Sequence, residues 1–498
     1  MIRITVPRYK RIQRMTKERR RLNYMNEPLK LKWHSLYGRL LQDRKISEAW
    51  KQVKANHGSG GIDGVTIDMF AKNEEENLDE ILRELKAKEY KPTPVRRVYI
   101  PKKNGKERPL GIPIVKDRII QQELANILIP KYEDGIFHPW SVGYRPGRGV
   151  DSAMQIIIKN IEEGRNWIYD CDIKGFFDNI PHKRLMKVLN KCIADGTVLD
   201  LIWSWLKAGY MEDGKQLSTK SGTPQGGVIS PLLANIYLNE LDWKLHEAKI
   251  HFVRYADDFL LFANTEEEIT RAGKIAKEVI EELGLEISME KTKVVDFHND
   301  DFTFLGFDFK HWKTSKEGKD YYWIEPTEKS LKDFKKKIKE KTQRKLTLSK
   351  EEWVKQVNPI IRGKVNYYLN VYKALEVFKR HRYKTHCNIN IMGTKLHAID
   401  MYTRQRLRMC MLHRHPTIRK SFGMKIKWNI EFFVKMGLIP ANWYYFNHMY
   451  NYRIEMYVER QQSKNKTNNK RKFKKMISDG INLYSKQRLL KISYSQSK

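Results

Sequence analysis

The spacing of apolar positions divides the chain into alternating helical and extended stretches. Residues 1 to about 55 read as basic helix, with Trp33, Leu36, Leu40 and Leu41 on one face. The glycine-rich run "HGSGGIDGV" breaks that pattern. Residues 66–90 read as a helix pair stopped by the prolines of "KEYKPTPV". "VRRVYIPKKNGKERPLGIP" reads as a hairpin turning at Asn104-Gly105. Helical spacing returns at 116–130 and 151–163, "NWIYDCDI" is a short buried strand, and helices follow to about 208. "GTPQGG" is a turn leading into a helix expected to be capped near Ser230, with Pro231 in its first turn. Strand, turn and strand follow in "HFVRYADDFLLFAN", then a helix over 265–283 and the short strands "KTKVVDF" and "FTFLGFDF". From about residue 327 the chain reads as basic helix, and its last 40 or so residues as a polar basic tail, partly disordered. No internal repeat is seen.

One interruption of the pattern bears on chemistry. Asp257 and Asp258 sit side by side within an apolar run, between Phe252-Val253 and Phe259-Leu260-Leu261-Phe262. A buried, unpaired carboxylate costs several kcal/mol, roughly. Two readings satisfy this: a hairpin tip, since Asp favours turns, or a site where a cation offsets the charge. "YDCDIKGFFDNIPH" carries a second acidic group, Asp170, Asp172 and Asp178, with Asp172 again in an apolar strand. If the two strands are neighbours, three carboxylates converge. Such a set suits two Mg2+ ions about 3.5–4 Å apart, because hard oxygen ligands favour Mg2+ over softer metals. Mn2+ is a plausible substitute.

Composition changes the picture in one respect. The 498 residues carry a net charge of +36. The charge is uneven: a near-neutral centre lies between strongly basic ends, residues 1–50 and 326–498. That distribution points to a polyanionic partner. Aromatic side chains interleave with the charge in "VNYYLNVYKALEVFKRHRYK" and favour nucleic acid over a merely solvated surface. There is no run of about 18 apolar residues, so no membrane partner is expected. The basic N-terminus lacks the apolar core of a signal peptide. Cys171, Cys192, Cys387 and Cys410 are scattered without C-x-x-C spacing, which argues for a reducing compartment and against zinc. A cytoplasmic location is expected.

The motifs, taken in order, resemble those of the group II intron-type reverse transcriptases. "GGIDGVT" (60–66) and "RRVYIPKKNGKERPLGIPIVKDRIIQ" (96–121) resemble the finger motifs, and "DIKGFFDNIPH" (172–182) the first palm motif. "GTPQGGVISPLLANIYLNELD" (222–242), "RYADD" (254–258), "LGLEISMEKTKVV" (283–295) and "FTFLGF" (302–307) follow in the family's order, and "VNPIIRGKVNYYLNVY" resembles the maturase thumb. The resemblance implies an α+β right-hand polymerase with fingers, a palm built on an antiparallel sheet, and an α-helical thumb/maturase domain. It implies a basic extension over 1–55, fingers and palm over 56–325, the RNA-binding thumb/maturase domain over 326–420, and a basic segment over 421–498.

The resemblance also assigns roles. Asp172, Asp257 and Asp258 match the metal-binding triad. Phe177 matches the gate that excludes a ribose 2′-hydroxyl, and Gln225 the glutamine of the nucleotide pocket. Lys102 and Arg108 match the cations that grip the triphosphate, and Arg96 a template contact. Bland readings stand beside these: Asp170 and Asp178 as structural caps, Lys103 in place of Lys102, and Phe177 as core. The implied activity is RNA-directed DNA polymerisation on an RNA template with a DNA primer and dNTPs, joined to intron RNA binding and splicing assistance. No paired cysteines follow residue 420. The family's C-terminal endonuclease is therefore expected to be absent, with retromobility relying on a borrowed primer. A stand-alone or antiphage-defence reverse transcriptase acting with its own non-coding RNA would carry the same chemistry.

Overall fold

A computed structural model of the chain describes residues 32–101, 107–219, 221–223, 226–314, 316, 318, 320–380, 385–388, 391–412, 422–449 and 451. The N-terminal helix expected before residue 32, the Asn104-Gly105 turn and the basic tail lie outside these residues. The chain forms two compact units. One runs to Gly149 and resumes over Gly164–Val295; the other joins Val150–Glu163 to the chain from Asp296 onward. Among the described residues no helix is long and apolar enough to cross a membrane.

The first unit carries β1 (Val95–Pro101), β2 (Glu107–Ile112), β3 (Trp167–Asp172), β4 (Tyr210–Glu212), β5 (Lys215–Leu217), β6 (His251–Tyr255), β7 (Asp258–Ala263) and β8 (Lys293–Asp296). They make two four-stranded sheets, ordered β2-β1-β4-β5 and β6-β7-β3-β8. The second sheet is the core of the unit. In β7, Phe259, Leu260, Leu261 and Phe262 are all buried, so neither face of the strand meets water and its sequence shows no alternation. The helices Ser230–Glu247 and Glu266–Glu282 belong to the same core. The second of these lies close against β3: a Cβ on Gly273 would come within 2.5 Å of the Tyr169 ring. Only glycine permits that approach.

The hairpin expected at 95–112 is β1 and β2, antiparallel with Ile100 opposite Arg108. The Ser230 cap is corrected: the helix begins at Ser230, and Ile229 is the N-cap, with no side-chain cap bond. Ile229 already has right-handed helical backbone angles, so the turn enters the helix one residue early. Pro231 does sit in the first turn. The β4–β5 hairpin, turning at Asp213-Gly214, was not anticipated, although Asp-Gly is a common hairpin signal.

The second unit is mainly helical, as the resemblance implies. Its strands β9 (Phe302–Phe304), β10 (Phe307–Thr314), β11 (Asp320–Pro326) and β12 (Cys387–Asn388) form a sheet ordered β12-β11-β10-β9. The helices Glu328–Lys341, Lys350–Arg380 and Ile391–Leu412 follow. The helix Val150–Glu162, supplied from far upstream, packs on Lys350–Arg380 and buries Ile157, Ile158 and Ile161. Its last residue, Glu162, accepts hydrogen bonds from the Tyr322 hydroxyl (3.0 Å), the Thr385 hydroxyl (2.7 Å) and the His386 amide (2.8 Å). Those bonds solvate a carboxylate that is almost fully buried.

Candidate active site

The two acidic strands are neighbours. β3 and β7 are antiparallel, and their last paired residues are Asp172 and Asp258. β6 pairs with β7 as a tight hairpin, Tyr255 opposite Asp258, with Ala256 and Asp257 forming the turn. Three aspartates therefore meet at one end of the sheet. The pair is a hairpin tip, and it also lies where the carboxylates converge.

The electrostatics reflect the crowding. Burial pushes the Asp258 carboxyl up to about 7, reinforced by the charges of Asp257, Asp172 and Asp170. Burial also raises Asp257, with Asp172 adding to the rise and Arg108 and Lys291 opposing it. Asp170 is pushed up to about 6, chiefly by burial, with Lys293 opposing and Asp172 adding. Lys291 Nζ lies 2.8 Å from Asp172 Oδ2, and that bond raises the lysine's own pKa. Among the described residues no group of three or more His, Cys, Asp or Glu side chains is already set at metal-holding geometry. The donor chemistry nonetheless suits a hard cation: the set is all carboxylate oxygen, and its mutual repulsion favours an added positive charge.

A buried network holds the turn. Arg254, 1% exposed at its side chain, reaches Asp242, which is 0% exposed. Nε donates to Oδ1 at 2.7 Å and Nη2 to Oδ2 at 2.6 Å, a forked pair. Nη1 donates to Asn235 Oδ1 (3.0 Å) and to the Ala256 carbonyl (2.8 Å). Ala256 has φ +60°, a left-handed conformation that a residue with a Cβ adopts only under constraint. The arginine fork supplies that constraint and so fixes where Asp257 starts.

Of the other residues singled out, Arg108 on β2 is close enough for its charge to stabilise the Asp257 carboxylate, so the strand brings this cation to the site. Arg96 on β1 is exposed, and its charge acts on Arg118. Phe177 lies in the short helix Phe176–Asn179, 8% exposed, its ring edge-on to Phe176 at 5.3 Å. Its carbonyl accepts from the Thr223 amide at 2.8 Å. The Asp178 carbonyl accepts from the Ser221 hydroxyl at 3.1 Å. Lys102, Lys103 and Gln225 lie outside the described residues. Sequence reasoning missed Arg254, Asp242 and Lys291. A signal for the first was present: an arginine in the apolar run "HFVRYADD" demands a buried partner.

The chain matches the family described as reverse transcriptase (RNA-dependent DNA polymerase) over residues 100–309, and the group II intron maturase-specific domain over 331–389. Protein YkfC of Escherichia coli is 34% identical over 308 residues, covering 54% of this chain and 80% of the relative. The group II intron-encoded protein LtrA of Lactococcus lactis is 43% identical over 222 residues, 44% of this chain and 36% of LtrA. An uncharacterized 91 kDa protein in the cob intron of Schizosaccharomyces pombe is 30% identical over 333 residues, 53% of this chain and 40% of that protein. The match thus spans well under half of the two intron-associated relatives. Among solved structures, a chain of the partial Cas6-RT-Cas1–Cas2 complex is 21% identical over 50% of this chain and 43% of that one, with a TM-score of 0.32, too slight a likeness to bear on function.

Proposed function

Because the chain belongs to the group II intron-type reverse transcriptases and carries their maturase-specific domain, we propose that it extends a DNA primer along an RNA template at the carboxylates where β3 meets the β6–β7 turn. RNA-directed DNA polymerase activity follows from the family; the site and its workings are the proposal. The observation that carries it is the register that sets Asp172 opposite Asp258, with Asp257 in the adjoining turn.

Asp172, Asp257 and Asp258 would hold Mg2+. A pair of such ions, when bound, would supply charge to lower the pKa of the primer 3′-hydroxyl and to offset the charge gathering on the triphosphate. The chain's own residues do the rest. Arg108 faces the triphosphate as a forked donor, joined by Lys102. Phe177 stands five residues after Asp172, where its ring would clash with a 2′-hydroxyl. Gln225 is the proposed glutamine of the nucleotide pocket and Arg96 the proposed template contact. Lys291, paired with Asp172 in this structure, balances the charge of a carboxylate that would hold Mg2+.

The proposed domains are the basic extension (1–55), fingers and palm (56–325), thumb/maturase (326–420) and the basic segment (421–498). The helix Glu328–Lys341 buries Phe334 and Ile338 and leaves Lys336, Lys337, Lys339 and Lys341 exposed. That face is suited to phosphates, and an intron RNA is the proposed partner.

The test is primer extension on an RNA template by wild type and by Asp172→Asn and Asp257→Asn. Both variants should lose extension while retaining RNA binding, because losing a ligand removes charge stabilisation in the transition state. Extension within about tenfold of wild type for both would refute the site. Sequencing the RNA that copurifies tests the partner: intron sequence is expected, and an unrelated non-coding RNA would replace the intron role.

A further inference from the structure

Tyr144 has no role in the scheme so far, yet the fold places it with unusual care. The segment before it runs beside β6. The Arg254 amide donates to the Trp140 carbonyl at 3.0 Å, and the Val142 amide donates to the Arg254 carbonyl at 2.9 Å. The Gly143 carbonyl accepts from Asn235 Nδ2 at 2.8 Å, so the residue is tied to the same network that holds the aspartate turn. A Cβ on Gly143 would lie 2.5 Å from the Ala256 nitrogen, which excludes every other residue type there. The next residue must therefore emerge beside Ala256 and Asp257.

That residue is an aromatic with φ +55° and 53% of its surface exposed. Neither property is what folding alone selects. Left-handed backbone favours Gly or Asn, and a tyrosine there is an outlier that invites a functional explanation. An exposed ring contributes little to a core. The charges around it define its surroundings. After burial, Asp257 most strongly disfavours ionisation of the phenol, Arg108 opposes that, and Tyr255 and Asp258 add to it. The ring thus stands among the proposed triphosphate cation and the proposed metal ligands.

We propose that Tyr144 is a nucleotide-contacting residue: its ring packs on the incoming deoxynucleoside triphosphate between Arg108 and Asp257 and sets its affinity. This rests on the polymerase function proposed above. The contact is present in the ground state, so its loss weakens KM for dNTP more than kcat.

The test uses the full chain with Tyr144→Gly, Tyr144→Ala and Tyr144→Phe, one dNTP being varied on a saturating primer–template. Gly and Ala are expected to raise KM by about tenfold or more while kcat stays within about threefold. Phe, which keeps the ring, should restore KM. Gly relieves the left-handed backbone, so its melting temperature should equal or exceed wild type, a result that separates lost contact from lost fold. KM within about twofold of wild type for both Gly and Ala, or a loss confined to kcat, would overturn the proposal. So would a Phe variant as impaired as Gly. A wild-type chain that extends no primer would instead overturn the function beneath it, so the two failures are distinguishable.

Discussion

Asp242→Asn isolates the worth of the buried fork. The substitution is nearly isosteric, yet it removes the only full negative charge that directly hydrogen-bonds the Arg254 guanidinium among the described residues. Two bonds of 2.7 and 2.6 Å are affected. Asn can accept one of them, but its NH2 group then faces an N–H donor. With both side chains essentially inaccessible, the guanidinium is left buried and uncompensated, a loss of about 3–5 kcal/mol. Urea unfolding should detect this. With an m value of about 3 kcal/mol/M, the midpoint of the transition reporting the first unit falls by about 1–1.7 M. Primer extension without urea should fall as well, because the Ala256 carbonyl loses a rigid donor and the left-handed turn at φ +60° relaxes. The double replacement Asp242→Leu with Arg254→Met should be milder in stability than Asp242→Asn, since no lone charge remains. It should not restore extension, because the turn is still untethered. A midpoint shift below about 0.3 M with unchanged extension would refute the reasoning.

Other expectations are as direct. Phe177→Ala or Val should raise incorporation of rNTP relative to dNTP on one template; an unchanged ratio makes Phe177 core only. Glu123, 2% exposed and with Oε1 lacking a partner among the described residues, is pushed up to about 7 by burial. Its folded pKa lies above the unfolded value of about 4.3, so ionisation works against the fold. That penalty grows from about pH 4 and is complete above about pH 7. Glu123→Gln should therefore gain stability over wild type at pH 8 and gain nothing at pH 4, as read from melting temperatures; a pH-independent difference contradicts this. RNA affinity should fall steeply with salt, and Lys336→Glu with Lys337→Glu should flatten that slope by about 2 on a log–log plot. A slope that does not change removes these lysines from the interface.

The palm was legible because its strands are short, apolar and bounded by turns, and the helices because their apolar spacing is regular. Period alone could not say that β3 lies beside β7; that pairing joins residues far apart in sequence, and it was reached through the order of the motifs. The arginine network was invisible for a related reason. Asn235, Asn239 and Asp242 are buried on a helix that is covered on nearly every side, so these polar residues look from the sequence like a solvent face. Tyr144 was missed because its position depends on Gly143 meeting Ala256, a contact that has no local signature.

The helix Val150–Glu162 has a consequence in time as well as space. It leaves the ribosome long before Lys350–Arg380, the helix it packs on. At about 5–20 residues per second, the wait is about 10–40 s. Through that interval Ile157, Ile158 and Ile161 lack their eventual cover, a greasy stripe on a nascent chain that has already made the strands of its polymerase sheet. Chains stalled before residue 350 should therefore recruit chaperones or be cut within 150–162 by brief proteolysis, and chains released beyond residue 380 should resist. Synthesis order thus makes the downstream helix a late licence for this upstream segment.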